Sequence, residues 1–503
     1  MPEYLRSLLI ILALSVAFFA FAGRSASVLI ERKQFLTRRN LWFGLTIAAF
    51  LAQNFWVYLA ISIPLLFYAN RHETNPSALF FFILFALPVA NAQIPGLGLI
   101  NFLFEISHPR VLALFILLPA FFSLIHRSDT PNFGRTGPDK LLALYILLIS
   151  ILHLRDSSMT ETLRQTFYLI LDIFLPYFVI SRSLKKLHAF KDALLSLVLA
   201  IMLLALFAIF EAYKSWLLYN PLITALNLKD GMTLYLARDG LLRVVASAGQ
   251  PIVLGYLMVV GIGFYLFLQR SFNQKSIRRL GILLLIGGLI APVSRGPWVG
   301  TAVLLIVFIS TGRHPTKRLM GLALAGILAL PLIAMLPGGE KVINLLPFIG
   351  STEKGTIDYR AQLVTNSMIV IQRNPWFGSV DFLETPEMQA LMGGQGIIDV
   401  VNTYIAITLK SGFVGLGLFV GFFSLVVIGV YRAIRSLPDE DSEEHLLGRA
   451  LLATLLAILV IIFTVSSITF IPIVYWSVAG LAAAYTQMVQ KHALEKIIQQ
   501  RTR

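Results

Sequence analysis

Apolar runs of roughly 17 to 25 residues recur along the chain, and a helix of that length crosses about 30 Å of hydrocarbon while satisfying its own backbone hydrogen bonds. Of the 503 residues, 57% are hydrophobic and only 13% are charged, so the chain is more apolar than a soluble globular domain. These features predict an all-α fold, a polytopic transmembrane helical bundle of about 12–15 spans. We expect a single integral membrane domain over residues 1–503.

The basic residues predict the orientation of this bundle. The formal net charge is +15, but the cations are spread over short loops between spans, which is the positive-inside pattern and does not indicate a nucleic-acid partner. Counting spans between these loops places 212–250, the turn at 294–296 and 337–411 together on the outer face, as two large loops with a turn between them. The best-determined cytoplasmic loops are predicted at 270–279, 313–318 and 432–449, and the basic loops at 127–140 and 182–191 are also placed inside.

Some segments leave the topology open. Leu41–Asn70 could form one long helix or a hairpin that turns near residues 53–54. Asn91–Arg110 contains proline and glycine and is expected to be a short interfacial or re-entrant segment on the outer face. The last two spans are predicted at 449–471 and 473–489.

The residue types limit the chemistry. The chain has no cysteine, which excludes disulfides, thiolate catalysis and cysteine metal ligands. The histidines at predicted span ends lack the spacing of ligand pairs, so we expect no metal and no other cofactor.

Two arginines are predicted at the ends of spans on the outer face. Arg243 precedes a span that begins at Pro251, and Arg295 lies in a tight turn between two apolar runs. A planar and permanently charged guanidinium there suits a phosphate or diphosphate. The alternatives are an interfacial anchor for Arg243, and for Arg295 a buried pair with Glu211 or with a carboxylate of an outer loop.

The second outer loop contains a helical pattern that runs from Tyr359 to Arg373 and stops at a turn with proline and glycine, 374–378. We expect an amphipathic helix over the membrane face. Ile397–Leu409 is apolar but short, and a charge follows it at Lys410. It is predicted to be an outer-face helix that leads into the next span.

Four motifs occur in one order over roughly residues 190–430, and together they resemble the O-antigen ligase and Wzy-type polymerase superfamily. The motifs are Arg243-x3-Ser247-x-Gly249-x-Pro251, Ser294-Arg295-Gly296, the Arg360 helix that closes on Asn374-Pro375-Trp376-Phe377-Gly378, and Asn402-Thr403-Tyr404 followed by Lys410-Ser411-Gly412.

The resemblance implies a multi-pass glycosyltransferase of the bacterial inner membrane, with its active face in the periplasm and without a metal. Its donor and acceptor would be undecaprenyl-diphosphate-linked glycans, with a flippase and a chain-length regulator as candidate protein partners. Arg243 and Arg295 match arginines that hold the diphosphate, and Arg360 matches a further basic position. The remaining residues expected to bind substrate are Arg238, Glu211, Asn402 and Tyr404.

One departure from the family concerns the general base. Ligases of this family carry a histidine immediately before the Asn-x-Tyr motif, where this chain has Val401. Three readings follow: Asp399, or Glu384 or Glu387, acts as the base; leaving-group stabilisation suffices; or catalysis has been lost. We favour Asp399, whose alternative role is an N-cap on a helix that begins at Val400.

The loss of the ligase-type histidine favours a polymerase of lipid-linked repeat units, which makes exopolysaccharide or O-antigen. The alternative within the superfamily is a ligase that transfers finished glycan to lipid A core or to a protein. A flippase of lipid-linked oligosaccharide is the alternative of another class, and it should carry its charges along a path inside the bundle. Here the charges gather in two loops on one face, which favours surface chemistry.

Overall fold

The helices of the computed structural model form one bundle around an extended apolar core. The structure describes residues 1–501 apart from 97, 99–100, 156–157, 227, 229–234, 239, 336–353 and 394–395. Within this part, seven helices are long and apolar enough to cross a membrane, which confirms the predicted all-α polytopic fold. They are Glu3–Ala26, His108–Ile125, Met159–Ser183, Leu187–Lys214, Pro251–Ser271, Thr403–Ser436 and Glu443–Ile461. The number of spans stays a prediction.

The helices are numbered in chain order. The first half contains α1 (Glu3–Ala26), α2 (Arg32–Leu51), α3 (Phe55–Arg71), α4 (Pro76–Ile83), α5 (His108–Leu112), α6 (Leu118–Ile125), α7 (Gly137–His153), α8 (Met159–Leu169), α9 (Leu175–Ser183) and α10 (Leu187–Lys214). The second half contains α11 (Asn220–Ala225), α12 (Pro251–Leu268), α13 (Lys275–Ile290), α14 (Arg295–Ser310), α15 (Pro315–Met335), α16 (Lys354–Arg373), α17 (Pro386–Gln389), α18 (Thr403–Ser436), α19 (Glu443–Ile461) and α20 (Ile471–Arg501).

The segment with two predicted conformations, Leu41–Asn70, is a hairpin. Gln53 adopts a positive φ of 51°, and the Asn54 side chain caps α3 by accepting a hydrogen bond from the amide of Trp56 at 2.8 Å. Asparagine is a preferred N-cap because its side chain satisfies an amide that the helix leaves unpaired. Helices α2 and α3 therefore pack against each other.

Two spans contain a π-helical turn, at Ala113–Leu117 before α6 and at Ile170–Phe174 before α9. In both, a proline follows as the second residue of the next helix, at Pro119 and Pro176. Proline cannot donate the backbone hydrogen bond of a regular helix, so a local change of helical pitch accommodates it. α5 and α6 thus form one continuous span, as do α8 and α9.

The loops predicted to be cytoplasmic lie together at one end of the bundle, called the basic end. Ion pairs join them: Lys191 with Glu443 at 2.6 Å and Arg313 with Asp441 at 3.5 Å. The loops 212–250 and 374–412 and the turn at 294–296 follow the other ends of the same helices, which we call the site end. Which side of a membrane the site end faces, and the full extent of the two large loops, stay predictions.

Two arginines are buried in helices, and one of them, Arg182, falls in a segment predicted to be a cytoplasmic loop. Arg38 lies in α2 and pairs with Glu73 at 2.8 Å and with Asp192 at 2.5 Å. Arg182 lies at the end of α9 and pairs with Asp139 at 2.7 Å, with both side chains fully buried. A buried cation needs such a partner because the apolar interior does not solvate it.

Two short antiparallel ribbons at the site end were not predicted. The first, Ala92–Pro95 with Phe102–Ile106, occupies the segment expected to be interfacial or re-entrant. Arg164 of α8 holds it by donating to the carbonyl of Leu103 at 2.8 Å. The second pairs Ala237–Arg238 with Leu241–Leu242.

Helix α18 changes direction at Gly412, where φ is 65° and ψ is −168°. The amide of Phe413 donates to the carbonyl of Pro375 at 2.7 Å, and the amide of Ser379 donates to the carbonyl of Leu409 at 2.9 Å. The turn 374–378 therefore satisfies the backbone groups that the kink exposes. Two motifs singled out in the sequence are one structural unit. Of the predicted outer-face helix, Ile397–Leu409, the residues from Thr403 form the start of α18, whereas residues 397–402 are not helical.

A methyl group at Gly412 is expected to break this unit. Its conformation is essentially restricted to glycine, and an added Cβ would lie 2.2 Å from the backbone of Trp376. Gly412→Ala should lower the free energy of unfolding by about 2–4 kcal/mol, seen as a lower melting temperature of the purified protein in detergent. Gly417→Ala in the same helix meets open space and is the control. Equal melting temperatures for the two variants would contradict the role of the kink.

Candidate active site

Three arginines of the site end converge on the turn between α13 and α14. Arg238 Nη1 donates to the carbonyl of Val293 at 2.9 Å, and Arg243 Nη2 lies 3.3 Å from Ser294 Oγ. Arg295 follows as the first residue of α14. The two arginines of the first large loop and the arginine of the turn thus come together, as the predicted site requires.

The rest of the Arg243 motif fixes the backbone beside this turn. The hydroxyl of Ser247 donates to the carbonyl of Phe85 at 2.5 Å. Gly249 has a φ of 77°, and Pro251 begins α12 directly afterwards. The motif therefore positions a helix N-terminus next to its arginine.

Glu211 is a backbone anchor among the described residues and does not form the ion pair with Arg295 considered above. One carboxylate oxygen accepts the amide of Leu218 at 2.9 Å, and the other accepts the amides of Val245 and Ala246 at 3.1 and 2.9 Å. The side chain is fully buried at the end of α10. It therefore holds the segment that carries Arg243, and a direct contact with substrate remains a prediction.

A helix break that the sequence analysis missed lies at residues 462–470, within what was predicted as a continuous span at 449–471. Helix α19 ends at Ile461 and α20 begins at Ile471, and Thr469 between them has a positive φ of 47°. The segment is mostly apolar, with small hydroxyl residues, so its hydropathy resembles that of a span. The threonines and serines, followed by Pro472 as the second residue of α20, are the signals of a break in the sequence.

The break contacts both the turn and the second large loop. A Cβ at Gly296 would lie 2.8 Å from Thr464 Oγ1, so the start of α14 packs directly on the break. Arg360 of α16 donates through Nη2 to the carbonyl of Thr464 at 3.4 Å. Arg360, the predicted basic residue of the second loop, and Gly296, which follows Arg295, thus contact the same break.

Asp399 contacts this break two residues further on. Ser466 Oγ donates to Asp399 Oδ1 at 2.5 Å, while the hydroxyl of Tyr359 donates to the Asp399 carbonyl at 2.9 Å. Partial burial raises the pKa of this tyrosine. The N-cap alternative for Asp399 is wrong because α18 begins at Thr403 and its N-cap is Asn402.

Val401 replaces the ligase histidine with an apolar contact. Ile398, Val400 and Val401 pack against the apolar cluster beneath α16, which includes Leu363 and Met388. Asp399, between them, is exposed. The chain thus has an exposed carboxylate at position 399 and no imidazole at position 401.

Asn402 and Tyr404 use their polar groups inside the protein. Asn402 Oδ1 accepts the amides of Tyr404 and Ile405 at 3.0 and 3.2 Å. The hydroxyl of Tyr404 donates to the carbonyl of Leu459 at 2.9 Å. Asn402 thus caps α18, and Tyr404 fixes the start of α18 against α19. Contact of either residue with substrate remains a prediction.

Glu387, an alternative general base, is engaged by a cation. It forms a bidentate ion pair with Arg373, whose Nη1 lies 3.0 Å from one carboxylate oxygen. The Arg373 guanidinium lowers the pKa of Glu387, which makes it a weaker base. Because Arg373 binds the carboxylate of Glu387, we prefer Asp399 over Glu387 as the candidate general base.

The histidines give no sign of a metal centre. No group of three histidine, aspartate or glutamate side chains occurs in the part of the chain that the structure describes. His108, for example, is buried with its Nδ1 3.0 Å from the hydroxyl of Tyr58. The absence of a metal remains a prediction.

Comparison with known families agrees with the motifs. The family model described as O-antigen ligase, Wzy_C, matches residues 280–420. This range includes Arg295, Arg360 and Asp399, and it confirms the resemblance for this part of the chain. The match supports a membrane enzyme of ligase or polymerase type without distinguishing the two. A comparison with curated proteins finds no match.

Replacing Glu211 by glutamine tests the anchor of the first loop. Glutamine keeps the shape but turns one acceptor oxygen into an amide donor that faces backbone donors. The expected loss is about 1–3 kcal/mol of stability, measured as a lower melting temperature in detergent. Glu443→Gln removes only a half-exposed ion pair at the basic end, worth about 0–1 kcal/mol, and is the control. A Glu211→Gln protein as stable as wild type would argue against the anchor.

Proposed function

Because residues 280–420 match the O-antigen ligase family, we propose that this protein polymerises undecaprenyl-diphosphate-linked oligosaccharide repeat units into exopolysaccharide or O-antigen. The observation that carries the proposal is the gathering of Arg238, Arg243, Arg295 and Arg360 around one turn and one helix break. Four cations in one region suit a ligand with two phosphates.

The donor diphosphate is the leaving group, and the cations stabilise the charge that develops on it. Arg243 and Arg295 contact the phosphates in this proposal, with Arg238 and Arg360 beside them. Arg295 is also the first residue of α14, whose N-terminal amides favour an anion. Preorganised cations lower the barrier because they need no reorganisation as the charge appears.

Asp399 serves the acceptor in this proposal. It removes the proton of the acceptor hydroxyl as that oxygen forms a bond to the anomeric carbon of the donor, and the bond from this carbon to the diphosphate breaks. The proton passes from Asp399 to solvent. Exposure of Asp399 gives the acceptor access, and the half-buried Val401 leaves no base at the ligase position.

Transfer onto lipid A core or a protein is the second candidate, because the matching family model is described as a ligase. Polymerisation is preferred because ligases of the family carry histidine where this chain has Val401. The proposed location is the bacterial inner membrane, with the site end in the periplasm. A flippase that delivers the lipid-linked units and a chain-length regulator are the proposed protein partners.

Loss of either central arginine should abolish most of the transfer. Purified protein is incubated with lipid-linked repeat units, and the products are separated as a ladder. Arg243→Ala and Arg295→Ala should each lower the rate about 10²-fold, since each removes a cation from the leaving group. Arg270→Ala removes a cation at the basic end and should leave the ladder unchanged. A full ladder from both site variants would reject the proposed donor site.

Asp399→Asn should lower the rate by about 10²-fold, because the amide cannot take a proton. Asp381→Asn, in the same loop, is the matched control. Activity of Asp399→Asn equal to wild type would remove Asp399 as the base. Single additions of glycan to lipid A core, with no ladder, would instead identify the ligase.

A further inference from the structure

The 462–470 break carries contacts to both halves of the candidate site within three residues. The carbonyl of Thr464 accepts Arg360, and the hydroxyl of Ser466 binds Asp399. We infer that Ser466 is a positioning residue that holds the general base toward the acceptor and at a fixed separation from the donor arginines. The inference rests on the proposed function.

Asp399 is held at two points although its side chain is exposed. The hydroxyl of Tyr359 fixes its main chain through the carbonyl, and Ser466 fixes its carboxylate through Oδ1 at 2.5 Å. An exposed aspartate without such a bond would sample several rotamers, and ordering it during the reaction would cost entropy. The bond from Ser466 orders the carboxylate before the acceptor arrives.

Ser466 can do this because the break around it is itself anchored. The amide of Thr403 donates to the carbonyl of Ile462 at 3.0 Å, and its hydroxyl donates to the carbonyl of Val465 at 2.8 Å. The same residue begins α18, four residues after Asp399. The start of α18 therefore fixes both partners of the Ser466 bond.

The proton count assigns different roles to the two carboxylate oxygens. Ser466 donates to Oδ1 and keeps its own proton throughout. The other oxygen, Oδ2, receives the proton of the acceptor hydroxyl as the new glycosidic bond forms and the diphosphate leaves. A hydroxyl that only orients the base should affect turnover and leave donor binding nearly unchanged.

The test is a kinetic cycle on the full-length protein, with ladder formation as the assay. Ser466→Ala should lower kcat about 10-fold, with the KM for the lipid-linked donor within about 2-fold of wild type. Ser466→Thr keeps the hydroxyl and should restore most of the loss. In the Asp399→Asn background, Ser466→Ala should cause no further decrease, since residues that act together are not additive.

Ser467→Ala separates positioning from general damage to the break. Ser467 lies next to Ser466, but its hydroxyl contacts Thr403 and Tyr475. Its removal should leave kcat within about 2-fold of wild type. Equal losses in the two alanine variants, a further loss in the Asp399→Asn background, or full activity of Ser466→Ala would each overturn the inference. Failure of the wild type to elongate lipid-linked units would instead reject the proposed function, and an active Asp399→Asn variant would reject the base.

Discussion

Backbone groups that leave a helix inside a membrane protein must find partners within the protein, because hydrocarbon offers none. This constraint explains the architecture of the site end. The turn 374–378 forms hydrogen bonds with the backbone groups left unpaired at the Gly412 kink, and Glu211 accepts backbone amides of the loop after α10. The 462–470 break is satisfied by Thr403. Each helix interruption is therefore hydrogen-bonded to a distant segment, and the candidate site lies among these contacts.

The sequence predicted the parts of the structure that depend on composition. Apolar runs and basic loops predicted a helical bundle with loops at two ends, because placing charge or open backbone in hydrocarbon is costly. The shared role of Arg243 and Arg295 was implied by the resemblance, and the structure places both residues at one turn. The hairpin at 53–54 was predicted as one of two alternatives because Gln53 and Asn54 are a short polar interruption in a long apolar run.

What could not be predicted depends on contacts between distant segments. The 462–470 break is apolar enough to pass for a span, and Glu211 bonds to three amides that local sequence does not identify. The N-cap role assigned to Asp399 belongs to Asn402, three residues later, because α18 starts at Thr403. Hydropathy indicates whether a segment lies in an apolar environment. It does not indicate where a helix ends because another segment packs against it.

The same contacts give a physical reason for the valine at position 401. Its side chain belongs to the apolar cluster that supports α16, and α16 carries both Arg360 and the tyrosine that binds the Asp399 backbone. An imidazole there would have to place a polar ring among buried leucine and methionine side chains, at a cost unless a partner were supplied. Packing against α16 therefore disfavours a histidine at this position. In the proposed function, the exposed carboxylate of Asp399, held by Ser466, is the base two residues earlier, and position 401 keeps its packing.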